Sequence, residues 1–520
     1  MSIALAAPAA SAPPPPLPSI SVLDEPLLEF GNGQQVVDPH AGLTLFGPFD
    51  ATRPGQPTQI AYGVIGPPEG LTAFAQFSAC LAQPIVSVAF GPPGATNKDR
   101  LLWPPFPGFR AAFSCDWPSA AVFARELNRS ALLAAARHKD QHQRAYEVVN
   151  MYLDAVRVAA DRDDAPAVII CVVPDEVYVN CRPLSRVKDG TGAATTKKQR
   201  IARRESADLF DAYAPDQYDY SVDFRRQLKA RAMQYNIPIQ VVRESTLRLV
   251  EPARAERGLT KLSDRAWNLA TAFYYKAGRR PWRIAGARPG VCYVGLAFRQ
   301  AEGDGDPRYA CCAAQMFLQN GDGVVFQGKY GPWYSPDDGS FHLDAGAAEQ
   351  LLKGVLDAYA EQGGGPLTEI FLHSRSHISQ IEMEGYRRAA PHGVALVGIR
   401  VRRSSDPVRL YRAGAWPVLR GTLWVTGRRG ANLWASGFKP AVLTYDGWEV
   451  PKPLQIKIEH GDADIRQVAR DILALTKLNY NACKIGDAEP VTVGFSDAVG
   501  EILIGNPTVT VRKNAFKFYI

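Results

Sequence analysis

The chain has 520 residues, 46% of them hydrophobic and 21% charged, which excludes a disordered polymer and predicts two or three folded domains. Its formal charge of +7 is too small an excess to mark a nucleic-acid binder by itself, so any polyanion site has to come from local clustering. The eight cysteines form no CxxC pair and the eight histidines no HExxH pair, which argues for buried free thiols in a reducing, cytoplasmic setting without structural zinc. No run approaches the roughly 18 apolar residues of a membrane span.

Residues 1–20 are rich in Ala and Pro and lack the basic start of a signal peptide, so they read as a disordered tail. A linker-like segment, 21–55, follows, in which PHAGLTLFGPFD (39–50) reads as a leading strand. Residues 56–285 alternate strand and helix. TQIAYGVIG and APAVIICVVP are apolar strands, and 118–160 is a helical stretch, with or without a break. Near-continuous apolar strands separated by helices predict a mostly parallel sheet covered on both faces. The Gly-, Thr- and Lys/Arg-containing stretch 187–206 reads as a loop or as a basic patch that tracks a nucleic-acid strand.

The segment FRRQLKARAMQYNIPIQVV (224–242) is a basic amphipathic helix followed by an apolar strand with one glutamine inside it. Residues four apart lie on one helix face, so Arg225 and Lys229 can converge on one anion. Strand alternation turns Ile239 and Val241 away from the side on which Gln240 offers its amide. Arg226 and Arg231 point elsewhere, where a solvated face and a binding role are equally open.

From 286 to 520 the pattern changes. VCYVGLAFRQ, YACCAAQMFLQ and GVVFQGKY are three strands with short connections. They are followed by a helix (AAEQLLKGVLDAYAEQ), a strand (TEIFLHS), a helix (SQIEMEGYRRA) and a strand (VALVGIRV), the order of a ribonuclease H-like fold.

The basic helix, the PIQVV strand, WNLATAFYYKAGRRPW and the ribonuclease H-like strands resemble, in this order, the MID and PIWI domains of Argonaute proteins over roughly residues 40–520. With no room for the N and PAZ domains, the resemblance is to a short prokaryotic Argonaute. It implies an α/β chain, with a Rossmann-like MID domain at 56–285 and a ribonuclease H-like PIWI domain at 286–520. It also implies that Arg225, Lys229, Gln240 and Lys276 hold the 5′-phosphate of a guide strand. The apolar end KNAFKFYI is expected to bury Ile520 beside that pocket, where Gln240 and Ile520 could share a Mg²⁺ ion with the phosphate.

An active PIWI domain needs several carboxylates to hold two metal ions. Here YVGLAFR has Ala297 where the first aspartate belongs, and IFLHSRSHIS supplies Ser374, Arg375 and Ser376 in place of another acid. GKYGPWYSPDDGSFHL contains no glutamate, and its Asp337 and Asp338 read as turn residues. Only Asp497, in VGFSDAVGEIL, matches a tetrad position, so a nuclease-inactive PIWI domain without a catalytic metal is expected. Arg375, Arg400 and Arg402 are instead expected on a nucleic-acid backbone.

The resemblance implies a small guide RNA, a complementary single-stranded DNA target from a plasmid or phage, and a partner with an APAZ region. That partner would carry a sirtuin-like, TIR or nuclease effector, with NAD depletion among the outcomes and a higher oligomer on activation. Two alternatives stand beside it: a guided endonuclease combining Asp497 with Asp304, Asp306 or Glu382, and a guide-independent nucleic-acid-binding subunit.

Overall fold

The computed structural model describes residues 19–86, 103–194, 217–218, 220–250, 260–286, 288–300, 310–318, 323–337, 339–361, 364–403, 408–414, 417–445, 447, 449–505 and 513–520. The chain starts with β1 (Ser19–Val22), β2 (Leu28–Glu29), β3 (Gln35–Val36) and α1 (Pro39–Phe46). Ser19 and Ile20, expected in the tail, therefore open a strand, and the strand expected from residue 39 is a helix. Two local signals explain the helix. Asp38 caps it by accepting from the His40 N–H, and Pro39 at its first position has a φ already suited to a helix. Gly47, at φ 70°, ends it.

The first α/β unit contains β4 (Tyr62–Gly66), α2 (Pro68–Leu81), α3 (Phe109–Phe113), β5 (Phe123–Glu126), α4 (Arg129–Ala136), α5 (Gln141–Ala160), β6 (Val168–Val173) and α6 (Asp175–Asn180). It continues through α7 (Phe224–Ala232), β7 (Ile239–Arg243), α8 (Leu262–Lys276) and β8 (Arg283–Ile284). Its sheet is parallel, in the order β5-β4-β6-β7, and β6 is buried along its whole length. The stretch 118–160 thus holds a strand and two helices rather than one helix. Asn128 and Asp140 cap the two helices in turn, each accepting backbone N–H bonds.

The second unit contains β9 (Val291–Gln300), β10 (Ala310–Leu318), β11 (Gly323–Gly331), β12 (Tyr334–Ser335), β13 (Ser340–Phe341), α9 (Ala345–Glu361), β14 (Glu369–Ser374), α10 (Gln380–Ala389) and β15 (Ala395–Arg403). It ends with β16 (Thr422–Gly427), β17 (Gly430–Trp434), β18 (Leu454–His460), α11 (Ile465–Leu475), α12 (Val491–Gly494) and α13 (Ser496–Ile504). Among the described residues a nine-stranded sheet runs β1-β16-β17-β18-β15-β14-β9-β10-β11. The first three strands of this unit pair antiparallel, and β14 lies parallel between β9 and β15, as the ribonuclease H-like reading requires.

Alternation along β9 divides two cores. Cys292, Val294 and Leu296 pack with α9 and α10, whereas Tyr293 and Ala297 join the core of α11, α12 and α13. Gly295 is needed on that second face, because a Cβ there would meet the Thr492 carbonyl oxygen of α12 at 2.0 Å. Cys80, Cys115, Cys171, Cys181, Cys292, Cys312 and Cys483 are free thiols. Among the described residues no helix is long and apolar enough to cross a membrane.

Candidate nucleic-acid interface

Helix α7 starts at Asp223, whose side chain accepts from the Arg226 N–H, and buries Phe224, Leu228 and Ala232. Lys229 falls on the inward side and is 3% exposed. Lys276, the last residue of α8, is fully buried. Both ammonium groups donate to the main-chain oxygen of Ile520, which is 1% exposed. Ile520 gets there because residues 514 and 515 pair with β11 and Phe516 and Phe518 are buried. Arg225 is exposed, yet its charge acts on both lysines.

Burial pushes the Lys276 ammonium down to about 7 and Lys229 well below its usual range, and the Arg225 charge adds to both shifts. Gln240 shares a face of β7 with Val242, opposite Ile239 and Val241. Its Nε2 donates to the Val241 carbonyl at 3.2 Å, while its Oε1 is buried with no hydrogen-bond partner. The two helix cations outside this group are both engaged. Arg226 pairs with Glu501 at 2.6 Å, and the Arg231 guanidinium lies 4.8 Å from the rings of both Tyr146 and Tyr220.

On the second unit, Ala297 is 1% exposed and faces Ala313 across the ladder, inside an apolar core. Arg375 donates to Glu489 Oε2 at 2.9 Å and to the Val493 carbonyl, and Arg403 donates to Glu489 Oε1 at 2.8 Å. A cleft of about 410 Å³ opens beside this shared carboxylate, with Lys439, Asn479, Lys484 and Asp487 among its walls. Arg400 and Arg402 lie on the other face of β15, against Glu459 at 3.3 Å and Gln455 at 3.1 Å. The three arginines expected together are thus split: Arg375 meets Arg403 across Glu489, and Arg400 stays with Arg402.

Among the described residues, Glu382 and Asp337 lie away from that site. Glu382 is buried, with its oxygens bonded to the N–H groups of Leu343 and Ser379 in the capping box of α10. Asp337 sits in the β12–β13 turn, and Asp304, Asp306 and Asp338 lie outside the described residues. Asp497 is in the first turn of α13. His373 is buried beneath α12, where its Nδ1 meets Thr492 Oγ1 at 2.9 Å and burial holds its pKa at about 3. Among the described residues no group of three His, Cys, Asp or Glu side chains could hold a metal ion. The 195–206 part of the basic loop also lies outside the described residues.

The same arrangement of elements recurs in solved structures. Clostridium butyricum Argonaute bound to a guide DNA and a 19-mer target DNA is 16% identical, with a TM-score of 0.59 over 96% of this chain and 55% of that one. Drosophila Piwi is 12% identical, with a TM-score of 0.58 over 96% of this chain and 56% of its own. The chain has an Argonaute MID–PIWI fold. It spans about 55% of the length of these Argonaute structures, A. aeolicus Argonaute among them at 12% identity and a TM-score of 0.54. No protein-family model and no curated protein matches the chain by sequence.

Within this Argonaute fold, a Mg²⁺ ion shared by Gln240 and Ile520 does not fit the residues present. Mg²⁺ demands near-octahedral oxygen coordination. Phosphate and water oxygens can fill most of that shell, so the fit turns on charge: the Ile520 oxygen already takes N–H bonds from two ammonium groups, which a cation bound there would face. Two residues beside the pocket escaped the sequence reading. Lys517, half-buried, lies close to Gly278 in the turn after Lys276, and the KNAFKFYI motif contained the signal for it. Glu501 accepts from Arg226 and lies 3.5 Å from Arg299 at the end of β9. No local pattern singles it out.

Proposed function

We propose that this chain is a short, nuclease-inactive Argonaute that holds a small guide RNA by its 5′-phosphate and pairs it with complementary invader DNA. The observation that carries the reading is the meeting of Lys229 and Lys276, from two helices, at one buried oxygen beside Arg225. Burying two ammonium groups is costly, and the single carboxylate of Ile520 offsets only part of their charge together with that of Arg225, so a phosphate would complete the balance. Base pairing would supply sequence specificity while the protein reads backbone and shape, and Clostridium butyricum Argonaute, whose structure holds a guide and a target, has the same fold.

Lack of cleavage is supported by Ala297 in its apolar core and by Arg375 at the position of a second acid. The guided-endonuclease alternative loses Glu382 to the α10 cap. Signalling would then fall to a partner, an APAZ protein with a sirtuin-like, TIR or nuclease effector, in immunity against plasmids or phage. Co-expression with the adjacent reading frame, followed by size-exclusion chromatography, tests for that heterodimer.

The pocket is tested by replacing Lys229 and Gln240 with Ala. Charge-assisted bonds contribute roughly 1.5–3 kcal/mol each, so affinity for a 5′-phosphorylated guide should fall about tenfold or more, with little change for a 5′-hydroxyl guide. Equal losses for both guides would refute the assignment.

A further inference from the structure

We propose that the pocket captures a terminal phosphate without a divalent cation, the three side-chain cations Arg225, Lys229 and Lys276 taking the place of a metal. The inference rests on the guide-binding reading above. Its starting point is the Ile520 oxygen, a carboxylate oxygen in this 520-residue chain, which both buried lysines reach. A metal ligated by that oxygen would stand within a few ångströms of two ammonium groups, and the repulsion grows as water is excluded. Both lysines and Ile520 are almost completely buried, so little solvent screens them.

The charge count leads to the same conclusion. A terminal phosphate carries about −1.5 to −2 near neutral pH. Set against the phosphate and the carboxylate of Ile520 in this 520-residue chain, three cations already bring the pocket close to neutral, and a dication would add two positive charges. The buried Gln240 Oε1 needs a donor, but one amide oxygen is a small part of an octahedral shell, and a water molecule or guide hydroxyl would satisfy it equally well.

The test compares 3′-labelled RNAs with 5′-phosphate or 5′-hydroxyl ends, bound to the full chain in excess EDTA and again in millimolar Mg²⁺ at matched ionic strength. The quantity to read is the ratio of the two affinities, because Mg²⁺ also screens the whole backbone. The expected result is a phosphate preference of about tenfold or more that changes less than about twofold on chelation. Lys276→Met should abolish the preference in both buffers, and a cooperative thermal unfolding transition like that of the parent chain shows that the variant is folded. A preference that vanishes in EDTA and returns with Mg²⁺ would overturn the metal-free pocket and leave the guide-binding reading intact. Absence of any preference in either buffer would remove both.

Discussion

Lys276 and Lys229 were partly legible as residues. The spacing of Arg225 and Lys229 pointed to one helix face, and Gln240 stood out in its strand, because both depend on local periodicity. That Ile520 is what the two lysines reach could not come from periodicity, since it depends on how the 513–520 segment pairs with β11. Nor could the sequence show that Arg375 and Arg403 share Glu489, which lies more than 80 positions away from each of them. The buried lysines also predict a pH dependence. Lys276 has a pKa of about 7 without a ligand, and a phosphate beside it favours the charged form. Above about pH 7, capture therefore takes up a proton, and the affinity for 5′-phosphate should fall as pH rises toward about 9, by up to about tenfold per unit per proton. The phosphate is already a dianion in that range, so its own titration does not supply the slope. A 5′-phosphate to 5′-hydroxyl affinity ratio that stays flat from pH 7 to 9 would show that the lysines keep their charge in the empty pocket.

Among the elements, β9, β10, β11, α9, β14, α10 and β15 of the second unit followed the sequence pattern closely, because long apolar strands alternate there with strongly amphipathic helices. Three elements of the first part did not. α1 was decided by a cap and a proline rather than by its apolar spacing, and β5, largely exposed, is a strand because β4 pairs with it. β1 is a strand only because β16, some 400 residues later, accepts it. The Thr492 carbonyl of helix α12 sits against Gly295 and closes the face that carries Ala297. Restoring the acid with Ala297→Asp should not restore a nuclease. The new carboxylate would enter an apolar core without partners, and destabilisation of roughly 1–3 kcal/mol is expected in denaturant unfolding. Loaded with guide and matched target in Mg²⁺ or Mn²⁺, both the parent chain and this variant should leave the target intact over hours. Cutting at one defined position by the parent, lost in Asp497→Ala, would put the endonuclease reading first.

At the scale of the molecule, the two units are tied through the end of the chain. Glu501 on α13 takes Arg226 from the basic helix α7 and approaches Arg299 on β9, and both members of the Arg226–Glu501 pair are largely shielded from solvent. Glu501→Arg should therefore weaken the phosphate preference even though it touches no phosphate ligand. Adding Arg226→Glu should recover part of the loss, with a coupling of about 0.5–3 kcal/mol in the double-mutant cycle. Additive effects of the two changes would mean that the pair contributes nothing to the pocket. The Ile520 contacts have a further consequence, in time rather than in space. They join residues 291 and 244 positions apart. At roughly 5–20 residues per second of synthesis, Lys229 waits about 15–60 s on the ribosome for the oxygen that receives it. A nascent chain can fold its parallel sheet early, whereas the contacts of Lys229 and Lys276 with Ile520 form only once residue 520 has been made.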